Sequence, residues 1–401
     1  MNEEDLLEYS IYHWVFGGDY ALPGLDNHGF VNPNFFYDYP QKSDYETFLG
    51  LFESIKHDPC LNDDKGLLLC SGGVDSSLLA CFRNQTLIES SQRLIHTSYV
   101  GHNNNDLGKF VNVLEACPSD SYVLSIDSKR YLSGIEFLSM HKFYQNTYAP
   151  TLAFALKSIA PENFSSLITG SGPDELFYGM EKYSWDKFEN LSNKPIAQAL
   201  ELLDPSYNFQ CYSKLLNAQG LELLKNVQLK RRRLYESIAE LEMNIFDSQR
   251  ILAYATVTAQ HMQLFNKIGQ IFELEHKAPY LNSQLVRLAL TTPLLELVEL
   301  GHNKRVEIGK KYLKRCLSQY MSESHVYGKK IGFHAPTTEF IFEYSKKFLM
   351  RNIDYLPYWL SKDKTIREIN LRFEVGVELT DYFLYSLINV IKHQMGKSYD
   401  C

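Results

Sequence analysis

The chain has seven cysteines among 401 residues and no CxxC pair. Cys60, Cys70, Cys81, Cys117, Cys211, Cys316 and Cys401 are an odd, irregularly spaced set, which indicates neither a disulfide framework nor a zinc site and is read as reduced thiols, mostly core filler. Clustered positive charge is also missing. The only dense basic run is KRRR at 230–233 and the formal net charge is −8, which weighs against a nucleic-acid surface because neutralising phosphate takes clustered Lys and Arg. No apolar run reaches membrane-spanning length, and the acidic start MNEEDLLEYS lacks the basic region of a signal peptide, so a cytoplasmic protein without membrane contact is expected. Neither an internal repeat nor a low-complexity linker is present.

What remains is an ordinary globular composition, 45% hydrophobic and 22% charged, long enough for one large domain or two unequal ones. Residues 1–60 are rich in aromatics, Gly, Pro and Asn with poor periodicity, and predict a short irregular or β-rich lead-in. From Gly66 onward the pattern changes. GLLLC, RLIHTSYVG, SYVLSID and SSLITG read as buried strands; DSSLLACFRN, DLGKFVNVLEAC and YAPTLAFALKSIA between them have helical spacing. Such alternation predicts an α/β fold, a parallel sheet with helices on both faces. Beyond about residue 183 the chain reads as mostly helical, as in IAQALELL, SQLVRLAL and DYFLYSLINVIKHQM.

The first strand runs straight into SGGVDSS at 71–77. In a parallel α/β sheet ligands sit beyond the carboxyl ends of strands, where strand hands over to helix. There Gly72 and Gly73 let backbone N–H groups approach an anion, and Ser71, Ser76 and Ser77 add hydroxyl donors at a helix N-terminus. The stretch is a phosphate cradle but not a Walker loop, since no Lys-Ser/Thr follows the glycines, and not a dinucleotide fingerprint, since GxGxxG is absent. Asp75 would repel a bare phosphate, and makes sense if Mg²⁺ bridges the two. Read alone, the stretch also fits a serine-rich N-cap in which Asp75 merely favours the helix N-terminus.

SGGVDSS resembles the pyrophosphate loop, SGGxDS, of the ATP pyrophosphatases. LITGSGPDELFYG at 167–179 resembles the SGxGxDExFGGY stretch of the asparagine synthetase synthetase domain; LEHKAPYLN at 274–282 resembles its xExRxPFLD, and YGKKIGF at 327–333 its RxKxGF. The four motifs stand in the family's order and span 66–336. The resemblance implies an adenine nucleotide alpha hydrolase-like fold over 61–401, and an ATP-dependent, AMP-forming carbon–nitrogen ligase with ATP and Mg²⁺ as cofactors. A carboxylate is adenylated with release of pyrophosphate, then coupled to an amine. By the same resemblance Asp75 and Asp174 hold the metal; Ser71, Gly72, Gly73, Val74, Asp75, Ser76 and Gly170 line the nucleotide; backbone at Leu69 and Val100 carries adenine. Lys330 reaches the phosphates, Lys329 being read as a surface charge, and Glu175 and Glu275 are retained acids.

Departures bear on the second half-reaction. The position between the first two glycines of the second motif, Glu in asparagine synthetases and Tyr in β-lactam synthetases, is Ser171, a poor base. Lys277 replaces Arg, Tyr280 replaces Phe, Asn282 replaces Asp, and Gly328 stands near an expected Arg. The chain begins Met1-Asn2 with no cysteine before Cys60, so residues 1–60 are read as replacing the family's glutaminase domain, and glutamine-derived ammonia is not expected as the nucleophile. The expectation is therefore the ring-closing branch, the β-lactam synthetases and lasso peptide cyclases, or a related amine ligase of specialised biosynthesis, with Glu275, a substrate group or water taking the amine's proton. Its partners are a small-molecule or peptide carboxylate and an amine, with a substrate-delivering protein and a homodimer as further options. The alternatives are an ammonia-dependent asparagine synthetase-like enzyme, a tRNA-modifying relative, and a nucleotide-binding protein that has lost its chemistry.

Overall fold

The computed structural model describes residues 5, 7–8, 22–27, 29–37, 44–87, 92–100, 106–143, 146–179, 191, 193–204, 213–301, 306–328, 336–375 and 379–394. Its centre is a five-stranded, all-parallel sheet: β1 (Gly66–Leu69), β2 (Arg93–Tyr99), β3 (Asp120–Ile126), β4 (Ser166–Ile168) and β5 (Glu275–Lys277), in the order β3-β2-β1-β4-β5. The α/β reading therefore holds. Leu67, Leu68, Leu94, Ile95, Leu167 and Ile168 are fully buried, as a sheet covered on both faces demands.

The chain lays β2 and β3 on one side of β1, then returns to place β4 and β5 on the other. The β1/β4 boundary is thus the topological switch point, where loops diverge and leave a crevice. Register makes the two loops level: Gly66 pairs with Ser166 and Leu68 with Ile168, so the segments after Leu69 and after Ile168 leave the sheet side by side. These are the SGGVDSS loop and the GSGPDE loop.

Residues 45–56 depart from the irregular lead-in that the composition suggests. Tyr45–Lys56 is a helix, α1, opened by the Asp44 carboxylate accepting from Thr47 N–H. It buries Tyr45, Phe48, Phe52 and Ile55, a spacing of three and four residues that makes one apolar stripe. Aromatic density outside the stripe hides this periodicity in the sequence. Phe48 packs on Phe177 and Tyr312, with ring centroids 5.6 and 4.9 Å apart, so α1 shares the core behind the site. β1 leads into α2 (Val74–Thr86), β2 toward α3 (Asp106–Ala116), and β3 into α4 (Ser128–Met140), a helix the sequence reading passed over, before α5 (Ala149–Lys157).

The expectation of helix in the C-terminal part holds for the described residues. After the four-residue α6 (Pro173–Leu176) and a helix at Ile196–Leu203 comes α7 (Ala218–Ala239); α8 (Ile245–Ala253) continues through a π-helical turn at Tyr254–Thr258 into α9 (Ala259–Ile271); α10 (Ser283–Thr291) and α11 (Lys311–Leu317) follow. Helices α12 (Thr337–Arg351), α13 (Lys362–Val375) and α14 (Leu379–Gln394) gather around the fully buried Trp359 in a second core. No described helix is long and apolar enough to cross a membrane.

Candidate active site

The SGGVDSS loop turns on Gly72, whose φ of +80° is the left-handed region that only glycine enters freely. A Cβ there would also stand 2.6 Å from Phe110 N and 2.7 Å from the Lys109 carbonyl carbon, so α3 closes on the loop only because this position has no side chain. Gly73 is the N-cap of α2, with extended backbone and no side-chain cap, so no cap side chain covers the N–H groups and positive dipole end of the helix, which favour an anion. Ser71 and Ser76 hydroxyls lie 3.4 Å apart, with Ser71 Oγ accepting from Gly73 N–H at 3.3 Å, and Val74 opens the helix. Ser77 instead faces the interior, its Oγ 3.2 Å from His325 Nε2.

Opposite the loop stands Asp174, on α6. The second motif packs directly on the first: a Cβ on Gly170 would lie 3.3 Å from both Asp75 Cβ and Ser76 N. Asp75 Oδ2 and Asp174 Oδ1 converge on one ammonium, Lys310 Nζ, at 2.5 and 2.6 Å. Lys310 is the left-handed N-cap of α11, with φ of 55°, and its N–H is held by Phe177 O at 2.9 Å. It is 4% exposed. Burial alone would discharge the amine, but the Asp174 and Asp75 carboxylates outweigh that and raise its pKa above the ordinary lysine value. Gly179 makes the approach possible, since a Cβ there would fall 1.9 Å from Lys310 Cε and 2.2 Å from Asp174 Oδ1.

Two carboxylates around one cation are a donor set that fits Mg²⁺, a hard ion that takes one or two protein carboxylates and completes its shell with water and phosphate oxygens. No three His, Cys, Asp or Glu side chains gather on one point among the described residues, so these two carboxylates are what they offer such an ion. Glu175, next to Asp174, points the other way, into the fold. It is 3% exposed, accepts from Thr258 Oγ1 at 3.0 Å at the end of the π-helical turn, and is pushed up to about 8 by burial and by the Asp174 charge.

Behind Ser171 lies a row of polar side chains. Ser171 Oγ is 3.0 Å from Thr169 Oγ1, which is 2.9 Å from His276 Nε2, and His276 Nδ1 is 2.7 Å from Asn266 Oδ1 on α9. Burial keeps His276 uncharged, lowering its pKa to about 3. His261, also on α9, is held below its ordinary value by burial, against the pull of Asp174.

The structure does not bring Glu275 to this place. Glu275 is the first residue of β5, level with Ser166 at the amino end of the sheet, exposed and paired with Lys277 at 3.6 Å. The expectation that Glu275 takes a proton at the site is corrected by this register: motif spacing does not tell which end of a strand a residue occupies. Lys277 points the same way, its Nζ 3.0 Å from Asp63 Oδ2, which also accepts from Ser165 and Ser166 hydroxyls at 2.8 and 2.6 Å. That cluster ties the amino end of β4 and the Lys277 side chain of β5 to the approach to β1. The other departures in the third motif also have structural accounts. Tyr280 is fully buried and its added hydroxyl donates to Asp75 O at 2.9 Å; Asn282 caps α10, accepting from Gln284 and Leu285 N–H.

Leu69 and Val100 both lie at the carboxyl edge of the sheet, but Leu69 pairs with Ile95, which leaves Val100 five residues farther along, exposed, with its N–H on Ile126 O. Lys329 and Lys330 lie outside the described residues. The lysine at the centre of the described site is Lys310, in GKKYLKR, which sequence reasoning missed; nothing in the sequence separates it from Lys311 beside it. His276 was also missed, although it lies within LEHKAPYLN.

No curated protein matches the chain. The asparagine synthase family model matches residues 61–364, a span that holds the sheet, both loops, Lys310 and the His276 row. With most of its length matched, this chain belongs to the asparagine synthase family, whose members carry ATP-dependent ligase-type activity.

Proposed function

We propose that this protein is an AMP-forming amide ligase acting on an organic amine. A substrate carboxylate oxygen attacks the α-phosphorus of ATP; the bond to the bridging oxygen breaks and pyrophosphate leaves with the electron pair. The amine nitrogen then attacks the acyl carbon of the adenylate, AMP leaves, and one proton is released as the amide forms. The observation that carries the first half is the convergence of Asp75, Asp174 and Lys310 before the uncapped N-terminus of α2. Nothing but polyphosphate chemistry calls for an anion cradle, two carboxylates and a buried ammonium in one place. Asp75 and Asp174 would hold Mg²⁺, which when bound neutralises charge on the leaving pyrophosphate. Lys310, released from the carboxylates, faces the phosphates.

The second half rests on Ser171. Ammonia is mostly protonated near neutral pH and needs a base, and a serine hydroxyl is a poor one. An organic amine, on the same substrate or on a second one, gains a large effective concentration when bound beside the adenylate and makes less demand on a base. The test is ATP–pyrophosphate exchange over a panel of amino acids, dicarboxylates and peptides, followed by amide formation from the active carboxylate with a panel of amines. Exchange with a defined carboxylate and coupling to an organic amine in preference to ammonium is the expected result. Efficient conversion of aspartate and ammonium to asparagine would contradict it.

A further inference from the structure

The polar row behind Ser171 has a direction. With the Asn266 amide turned so that Oδ1 rather than Nδ2 faces the ring, the 2.7 Å contact places a proton on His276 Nδ1. A neutral imidazole protonated there has a bare Nε2, which can only accept, and the hydroxyl 2.9 Å away on Thr169 must donate to it. Thr169 has one hydroxyl hydrogen and has now used it, so at 3.0 Å it accepts from Ser171. Ser171 in turn has spent its only hydrogen inward, and its remaining lone pairs point away from the row. Thr169 is 2% and Ser171 8% exposed, so water competes little for these bonds. Ser171 follows Gly170, which packs against Asp75 and Ser76, and lies three residues before Asp174.

We propose that Asn266, His276, Thr169 and Ser171 form a directed hydrogen-bond chain that fixes Ser171 Oγ as an acceptor for an N–H of the attacking amine, with His276 as the positioning residue. Held by that contact, the amine turns its nitrogen lone pair toward the acyl carbon. The chain itself takes up no proton. His276 touches neither nucleotide nor amine, and acts by setting which way two hydroxyls point. The identity of the accepted group rests on the amide-ligase reading; the direction of the chain does not.

The direction is tested on the full chain labelled with ¹⁵N-histidine, by two-bond ¹H–¹⁵N correlation, with the His276 resonances assigned by their loss in His276→Phe. The expected result is a neutral Nδ1–H tautomer from pH 6 to 8, kept in Asn266→Asp, which still accepts, and lost in Asn266→Leu. An Nε2–H tautomer, or an imidazolium, in the unaltered protein would overturn the proposal. The consequence is tested with the carboxylate and amine chosen by the exchange and coupling assays. Ser171→Ala, His276→Phe and the shape-preserving Thr169→Val should each slow amide formation about tenfold while exchange falls less than about twofold, and the Ser171→Ala/His276→Phe pair should cost no more than either alone. Equal losses in both half-reactions, or additive losses in the pair, would overturn it. If no carboxylate supports exchange, the ligase reading fails, and the tautomer still decides the chain.

Discussion

Replacing Lys310 by Met keeps the length of the side chain and removes its charge. The Asp75 and Asp174 oxygens it now separates lie 2.5 and 2.6 Å from one nitrogen, so they are no more than about 5 Å apart, and removing the ammonium takes away the positive charge that stands between two like charges. At the effective dielectric of about 20 that suits partly buried pairs, the repulsion is about 3 kcal/mol, added to the loss of two charge-assisted bonds. Lys310→Met should therefore be destabilised by about 3 kcal/mol or more at pH 7.5 in EDTA, and regain part of that loss in millimolar Mg²⁺, which takes the ammonium's place. It should also regain stability as pH falls toward 4 and the carboxylates protonate. The unaltered protein, already neutralised by Lys310, should respond weakly to Mg²⁺. Because its lysine pKa is raised on folding, its own contribution is complete below about pH 10.4 and fades as pH rises through the folded value. Thermal unfolding of both proteins across pH, with and without Mg²⁺, reads all of this. A Lys310→Met protein as stable as the original at pH 7.5 and indifferent to Mg²⁺ would refute the account of the cluster.

Gly179→Ala should leave secondary structure by circular dichroism unchanged while removing ATP–pyrophosphate exchange, since its Cβ would stand 1.9 Å from Lys310 Cε and 2.2 Å from Asp174 Oδ1; full activity would show that Lys310 and Asp174 need not meet. Asp63→Asn should cost about 2 kcal/mol at pH 7, the scale for hydrogen bonds to a charged group in a pair that is only partly buried. Although burial opposes its charge, bonds from Ser166, Ser165 and Lys277 hold the Asp63 pKa well below the usual carboxylate range, so its stabilisation is present above about pH 4 and lost as pH falls through the folded value. The variant should therefore show a flatter acid limb in urea titrations. Tyr280→Phe, which removes one buried bond to Asp75 O, should cost about 1 kcal/mol by chemical denaturation, and a neutral result would mean that the hydroxyl adds nothing to the seating of the loop.

The sheet was legible because its strands are short apolar runs bounded by turn residues, and the cradle because SGGVDSS puts glycines and hydroxyls where a strand becomes a helix. The family was legible from motif order alone. Other features depend on three-dimensional placement. α1 hides its apolar stripe among further aromatics, and β5 is three residues of EHK, with no apolar run to announce it. Missing β5 left Glu275 a candidate for the site, because only its pairing with Ser166 reveals that it sits at the sheet's far end. Lys310 stands 136 residues after Asp174 in the chain, as the N-cap of α11; its role depends on Gly179 and Phe177, not on its sequence neighbours. The substitutions Lys277, Tyr280 and Asn282 look in the sequence like erosion of a motif. Their partners Asp63, Asp75 O and the α10 N-terminus show each one bonded in place.

The central claim is that the cradle, Asp75, Asp174 and Lys310 serve attack at the α-phosphorus of ATP. The most direct test follows nucleotide products by ³¹P NMR during turnover with the carboxylate that supports exchange and an amine that accepts it. The account predicts AMP and pyrophosphate in equal amounts, one of each per amide formed. Stoichiometric ADP and inorganic phosphate would contradict it.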